Sequence, residues 1–290
     1  MMNFGGPDIY GDDEAERSET FVIIPVPYDL TSSWKAGSRH GPAAILEASA
    51  YLELYDEELR QETWRAGIAT REALEPDVRG PSYMIEEVQA EVASVLKEKK
   101  IPVLLGGEHS VTLGAVKAAK ERYPSLSVLQ LDAHADLRDS YQNSPLSHAC
   151  VGRRIVELCS LVQVGVRSMS VEEARFIDEK TDLVLSLSSD ETRIDGWIDR
   201  VCERLTEDVY ISIDLDVFDP SIIPATGTPE PGGMGWLEVL DLVHAIAAVK
   251  SIRGFDVVEL CPLPGVAASD FTAAKLVYRV MGYIAEKYIS

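Results

Sequence analysis

Asp132-Ala133-His134-Ala135-Asp136, directly after the apolar run Leu126-Ser127-Val128-Leu129-Gln130-Leu131, decides how this chain is read. If residues 126–131 form a strand and the chain stays extended through the motif, successive side chains point to opposite faces. Asp132, His134 and Asp136 then share one face, and the two alanines turn back into the protein. Two carboxylates and an imidazole on one short face repel or desolvate each other unless something positive sits between them. A cation is the simplest answer.

Working outward, the pattern returns. Asp214-Leu215-Asp216 ends the run 208–213, again setting two carboxylates on one side of an extended segment, and His109 follows the run 101–105 and the turn Gly106-Gly107-Glu108. Four Asp and two His thus each stand just past the carboxyl end of an expected strand, the edge where open parallel sheets bind ligands. Each piece alone has a plain explanation. Asp-x-Asp is commonly a solvated turn or helix cap, and a buried His commonly satisfies a backbone carbonyl. Their joint occurrence favours a site.

Strands are expected at 20–26, 101–105, 126–131, 160–166, 182–186, 208–213 and 252–258. Helices are expected at 41–59, 81–99, 109–123, 147–158, 171–179, 193–205, 236–249 and 268–287. This alternation indicates an α/β fold with a mostly parallel sheet covered on both faces. Residues 219–235, dense in Pro, Gly and Thr, form a long irregular loop beside Asp214 and Asp216; loops of that length in a compact domain are usually functional.

The 290 residues, 46% of them hydrophobic, can bury the core of one large domain spanning 1–290, with the polar, acidic segment 1–19 expected to be poorly ordered. Lys plus Arg number 27 against 48 Asp plus Glu, a formal net charge of −21. That excludes nucleic acid and anionic membranes as natural partners, since both reward basic surfaces. A cationic substrate is favoured by the field, although solubility or a salty cytoplasm explains the charge equally well. Cys150, Cys159, Cys202 and Cys261 form no C-x-x-C pair, which argues against a disulfide scaffold or zinc ribbon and for a reduced, cytoplasmic setting. The first nineteen residues lack the basic and apolar regions of a signal peptide, and no apolar run is long enough to span a bilayer.

At Gly106-Gly107-Glu108-His109-Ser110, Asp132-Ala133-His134-Ala135-Asp136 and Ser212-Ile213-Asp214-Leu215-Asp216-Val217-Phe218-Asp219-Pro220, the chain resembles the ureohydrolases, the arginase and agmatinase family of binuclear manganese amidinohydrolases. Gly37-Ser38-Arg39-His40-Gly41-Pro42 and Pro224-Ala225-Thr226-Gly227-Thr228-Pro229 support the match, which runs from about residue 20 onward. The resemblance implies a three-layer arginase-type fold, an eight-stranded, mainly parallel sheet between helical layers, assembled as a homo-oligomer (trimer or hexamer). It implies two Mn2+ per subunit, His109 and Asp136 binding one, His134 and Asp216 the other, Asp132 and Asp214 bridging. Independently, carboxylate-rich sites with some imidazole suit hard divalent ions such as manganese, and the absence of Cys ligands argues against structural zinc.

The expected chemistry is attack of metal-activated hydroxide on a guanidinium carbon. Glu259, after the run 252–258, matches the family carboxylate that pairs with the guanidinium; the plainer reading is an acid at a strand end. His148 matches the histidine that relays a proton to the leaving amine, against a plain helix-cap histidine. Thr228 is a candidate contact to the departing amine or the substrate, or simply a turn hydroxyl. Glu108 is a candidate to orient His109 through its other ring nitrogen. His40 and His244 read as structural.

Where arginase carries an Asn for the α-carboxylate of arginine, this chain has Arg138, followed by Asp139, Ser140 and Tyr141, which looks like the agmatinase branch. The expected reaction is agmatine to putrescine and urea, a step of polyamine synthesis, with Asp139 or Glu230 meeting the terminal ammonium. Alternatives within the fold are N-aminopropylagmatine, guanidinobutyrate and formiminoglutamate. A catalytically silent oligomeric binding protein has no need of six mutually repelling groups, and a dimetal phosphoesterase would want a phosphate cradle absent near these motifs.

Overall fold

Eight strands, every one paired in parallel with its neighbours, form the centre of a computed structural model that describes residues 2–6, 9 and 19–287. They are β1 (Phe21–Val26), β4 (Ile68–Thr70), β5 (Ile101–Gly106), β6 (Ser127–Leu131), β7 (Leu161–Val166), β8 (Val184–Ser188), β9 (Asp208–Asp214) and β10 (Ser251–Val258). The spatial order is β4-β1-β5-β10-β9-β6-β7-β8. A separate antiparallel hairpin joins β2 (Tyr55–Asp56) to β3 (Gln61–Glu62).

The near-continuous apolar strands follow from burial on both faces. Ile23, Val103, Leu105, Leu129, Ile211 and Phe255 enter one core, while Val22, Ile24, Leu104, Val128 and Tyr210 enter the other, as the two-residue period requires. Helices α2 (Pro81–Lys97), α3 (Thr112–Arg122), α4 (Val151–Val156) and α5 (Val171–Glu179) supply the second core through Val88, Val116, Ile155 and Phe176. Helices α1 (Gly41–Ser49), α6 (Trp197–Arg204), α7 (Trp236–Val249) and α8 (Ala268–Ala285) supply the first through Ile45, Val201, Val243 and Val277. The result is a three-layer α/β arrangement, as the sequence resemblance implied.

Some expectations fail for local reasons. The helix expected to reach residue 59 ends at Ser49, because residues 55–62 turn into the hairpin. The almost fully buried Arg279 of α8 holds that hairpin: Nε stands 2.6 Å from Asp56 and Nη2 2.7 Å from Glu57, and Nη1 meets Glu58. Strand β4 escapes sequence reading because three residues are too short to show a period. The helix expected at 147–158 is the short α4 preceded by a 3-10 turn, His148–Cys150, and that expected from 193 begins at Trp197. Within the N-terminal segment, Phe4 and Ile9 are buried, Phe4 stacking 6.4 Å from Tyr278. The expectation of disorder for residues 1, 7, 8 and 10–18 falls outside the described residues.

The topology puts β5, β10, β9 and β6 side by side, so their carboxyl ends open onto one spot. Gly107, after β5, is dictated by close approach: a Cβ there would lie 1.9 Å from the Tyr28 carbonyl oxygen.

Candidate metal centre and cavity

The chain leaving β6 does not run on extended through the motif: it bends at Ala133, and His134 N donates to Asp132 Oδ1 at 2.6 Å. Asp132 N donates to Val164 O at 3.1 Å, His134 bridges Ser168, and Ala133 and Ala135 are fully buried. At Asp136 the backbone enters the left-handed region (φ 51), so a local twist rather than the pleat aims this third side chain. Asp tolerates that conformation better than most residues. After β9 the expected extension also fails: Leu215–Val217 is a 3-10 turn, closed by Asp216 N donating to Asp214 Oδ1 at 2.9 Å. A turn therefore brings the two aspartates together.

All six residues converge. His109 Nδ1 lies 3.1 Å from Asp132 Oδ2, 3.4 Å from Asp136 Oδ2 and 3.3 Å from Asp214 Oδ2. His134 Nδ1 lies 2.9 Å from Asp216 Oδ2 and 3.7 Å from Asp132 Oδ1. The potential ligand atoms of His109, Asp132 and Asp214 fall within 4.8 Å of one another, as do those of Asp132, His134 and Asp216. Asp132 stands in both groups.

Supporting bonds fix these side chains. His109 Nε2 meets Ser212 Oγ at 2.9 Å; Ser212 in turn donates to Asp256 Oδ1 at 2.7 Å, and Tyr210 donates to Asp256 Oδ2 at 2.9 Å. Gln130 Nε2 donates to Asp132 Oδ2 at 2.7 Å, and Ala133 N to Asp216 Oδ1 at 3.0 Å. Glu108 does not orient His109. Its buried carboxylate instead accepts from Thr31 N at 2.5 Å, Thr31 Oγ1 at 2.6 Å and the Ser110 hydroxyl. The sequence did carry a signal for this shell: Gln130, Ser212 and Asp256 are polar residues interrupting buried apolar runs.

The electrostatics are those of a site short of positive charge. Burial opposes the charged form of His109, yet the nearby carboxylates of Asp132, Asp136 and Asp214 hold it well above its ordinary value. His134, likewise opposed by burial, rises to about 12 beside Asp216 and Asp132. Burial also works against ionised Asp132, but contacts with His109 and His134 outweigh it and hold its carboxyl below the usual range. Burial and Asp132 push Asp136 up to about 7, while burial, Asp216 and Asp132 push Asp214 well up. Divalent cations would do the work of those protons. The residues fit such ions: His109 Nδ1 is buried with no hydrogen-bond partner, aimed at three carboxylates.

A cavity of about 190 Å³ adjoins the cluster, lined among others by Asp136, Arg138, Tyr141, His148, Thr228 and Glu259. Glu259, just past β10, takes φ 65, and its Oε1 accepts from His109 N at 2.7 Å. Burial, then Glu108, pushes its carboxyl up to about 8. His148 Nδ1 lies 3.8 Å from Glu259 Oε1, and its Nε2 is buried without a partner. Burial, then His109 and His134, depresses it to about 4, so the imidazole is neutral at pH 7. Glu230 Oε1 stands 3.9 Å from His134 Nε2. Asp139 is not brought to the cavity: its side chain is 76% exposed and pairs with Arg154 at 2.6 Å.

The model of the Arginase family matches residues 19–282. The chain belongs to that family. It is 37% identical to the N(1)-aminopropylagmatine ureohydrolase of Synechocystis sp., over 97% of this chain and 95% of the relative. It is also 37% identical to the agmatinase of Pyrococcus horikoshii, over 92% of each chain. The crystal structure of the agmatine ureohydrolase of Thermoplasma volcanium superposes with a TM-score of 0.87 at 33% identity, covering 99% of this chain and 96% of that one. This arginase-family chain is an amidinohydrolase; among its described residues no helix is long and apolar enough to cross a membrane.

Proposed function

We propose that this arginase-family amidinohydrolase releases urea from a small linear guanidinium with an amine tail, agmatine giving putrescine, using two Mn2+. The observation that carries the reading is one cavity in which the Glu259 carboxylate and the neutral His148 imidazole face the six-residue Asp/His cluster. His109 and Asp136 would hold one ion and His134 and Asp216 the other, with Asp132 and Asp214 between. Such ions, when bound, make hydroxide available near neutral pH and stabilise charge developing on oxygen.

The protein groups do the rest. Glu259 accepts N–H bonds from the guanidinium, a charge-assisted pair that draws its raised pKa back down and orients the planar carbon. Its location beside His109 N leaves little freedom to swing away. His148, neutral and within 3.8 Å of Glu259, can take a proton and return it to the leaving amine. Thr228 offers a hydroxyl to the same end of the substrate. Arg138 lines the cavity, but its Nε lies 3.8 Å from Glu173 and its guanidinium 5.0 Å over the Tyr141 ring. Its charge is therefore partly answered, which weakens the case for an acid-tailed substrate.

N(1)-aminopropylagmatine is the second reading, favoured by the naming of the Synechocystis relative. The test is manganese-reconstituted protein offered agmatine, N(1)-aminopropylagmatine, arginine, guanidinobutyrate and formiminoglutamate, with urea and formamide measured separately. Urea from the amine-tailed guanidines at the highest kcat/KM is the expected result. No urea from any guanidino compound would overturn the proposal.

A further inference from the structure

Of the three acidic residues beside His134, Asp132, Asp216 and Glu230, the last two, one at each ring nitrogen, are tied to the same side chain. Asp216 approaches Nδ1 and Glu230 approaches Nε2. Their backbone carbonyls both accept from Arg167 Nη2, Asp216 O at 2.6 Å and Glu230 O at 2.8 Å. The guanidinium makes further bonds from Nη1 to Gly165 O at 3.0 Å and Val217 O at 3.4 Å, from Nη2 to Phe218 O at 3.4 Å, and from Nε to Pro231 O at 3.2 Å and Glu230 O at 3.3 Å. Each of these acceptors is a carbonyl. They belong to three separate stretches: the end of β7, the turn after β9, and the far limb of the loop 219–235.

We infer that Arg167 is a positioning residue, whose planar fork holds Asp216 and Glu230 in place on either side of His134. The inference deepens the proposed function and rests on that reading for its link to turnover. Five N–H donors in a fixed plane reach carbonyls that lie in different directions around one point. A lysine ammonium brings the same charge but three donors on a flexible stem, and cannot span three stretches of chain at once. The loop has its own closure at the base, where Met234 N donates to Val217 O at 2.9 Å and Asp219 N to Met234 O at 3.1 Å. Thr226 bridges Leu260 at its near limb. The Asp219 carboxylate also accepts from Gly232 N at 3.0 Å and Gly233 N at 3.2 Å, and none of these ties touches Glu230 itself. Among the described hydrogen bonds, Arg167 alone grips the Glu230 carbonyl.

The position makes chemical sense. A histidine that ligates a metal through one ring nitrogen has its orientation and basicity set by the partner of the other, and loss of such partners typically weakens metal binding about 10–100-fold. Here the carboxylate facing that other nitrogen is Glu230, at 3.9 Å and outside direct hydrogen-bond distance, and its placement depends on the backbone that Arg167 binds.

The test is Arg167→Lys, which keeps the charge and removes the fork, with Arg167→Met as a second variant should the first prove ambiguous. Three readouts apply: amide hydrogen exchange over 216–234, calorimetric titration of the metal-free protein with Mn2+, and KM against kcat for agmatine. The expected result is exchange about tenfold faster in 216–234 alone, the weaker of the two Mn2+ steps weakened by about tenfold or more, and KM raised more than kcat is lowered. Unchanged exchange and an unchanged Mn2+ titration in Arg167→Lys would overturn the inference. So would a lowered melting temperature with both local readouts intact, which is the mark of a purely structural arginine. If the wild-type protein released urea from no guanidine, that would count against the proposed function, while exchange and Mn2+ titration would still decide the role of Arg167.

Discussion

Asp132 is the residue whose loss reaches furthest, because it stands in both potential ligand groups and contacts both histidines. Asp132→Asn is expected to abolish urea release and to lower Mn2+ stoichiometry together, read by elemental analysis on the purified variant. His148 makes the contrast, since it lines the cavity and stands in neither of those ligand groups. His148→Ala should slow turnover by about 10²–10⁴-fold, the usual worth of a general acid–base group, with both metals retained; full activity would remove the proton-relay role. The raised pKa values give a pH signature with a definite sign. Asp136 at about 7 and Glu259 at about 8 keep protons in the folded metal-free protein that the unfolded chain has already lost. Stability then falls as pH rises toward those values. His148, depressed to about 4, works the other way only up to its ordinary 6.5. Between pH 6.5 and 8 the metal-free protein should therefore lose melting temperature, whereas Mn2+ affinity should rise, because cations displace those same protons. Calorimetry in chelator and in excess Mn2+ checks both halves.

At the scale of elements, the site is a set of strand ends, and their supports are testable without touching a ligand. Asp256→Asn on β10 or Ser212→Ala on β9 loosens the bond to His109 Nε2 and should weaken Mn2+ binding about 10–100-fold with the fold intact, as metal titration would show. Gly107→Ala forces a Cβ against the Tyr28 backbone. Neither partner is a movable side chain, so a loss of about 1–3 kcal/mol or more is expected in thermal melts. The strand ends were legible because apolar runs and the residues that cap them are local facts of sequence. The pleat argument reached the right residues through the wrong geometry, since the chain already bends at Ala133. It failed at Asp136 and at Asp216, where a left-handed residue and a 3-10 turn redirect the chain, features that depend on individual torsions rather than on a repeating period. Arg167 was illegible for a different cause: its partners are carbonyl oxygens, which every residue has, so no residue type marks them. The fate of Asp139 was also closed to sequence, since it turns on which of two nearby groups, Arg154 or the cavity, its loop happens to face.

On the scale of the whole molecule, the −21 formal charge acts at long range. Raising ionic strength should lower kcat/KM for a cationic guanidine by screening its attraction, and should raise the melting temperature of the metal-free protein by relieving self-repulsion. A kcat/KM indifferent to salt would leave the acidity as a matter of solubility alone. The strand order carries a consequence for biosynthesis. The strand most distant in sequence from β1, β10, lies in the middle of the sheet between β5 and β9, and delivers Glu259 against the backbone of His109, 150 positions earlier. A nascent chain that has released His109, His134 and all four aspartates from the ribosome still has a gap at the centre of its sheet, with β5 and β9 unjoined. Acquisition of metal in its working geometry must wait for translation of the last segment, and chains stalled before residue 251 would leave those acidic strand ends open to whatever cation or chaperone reaches them first.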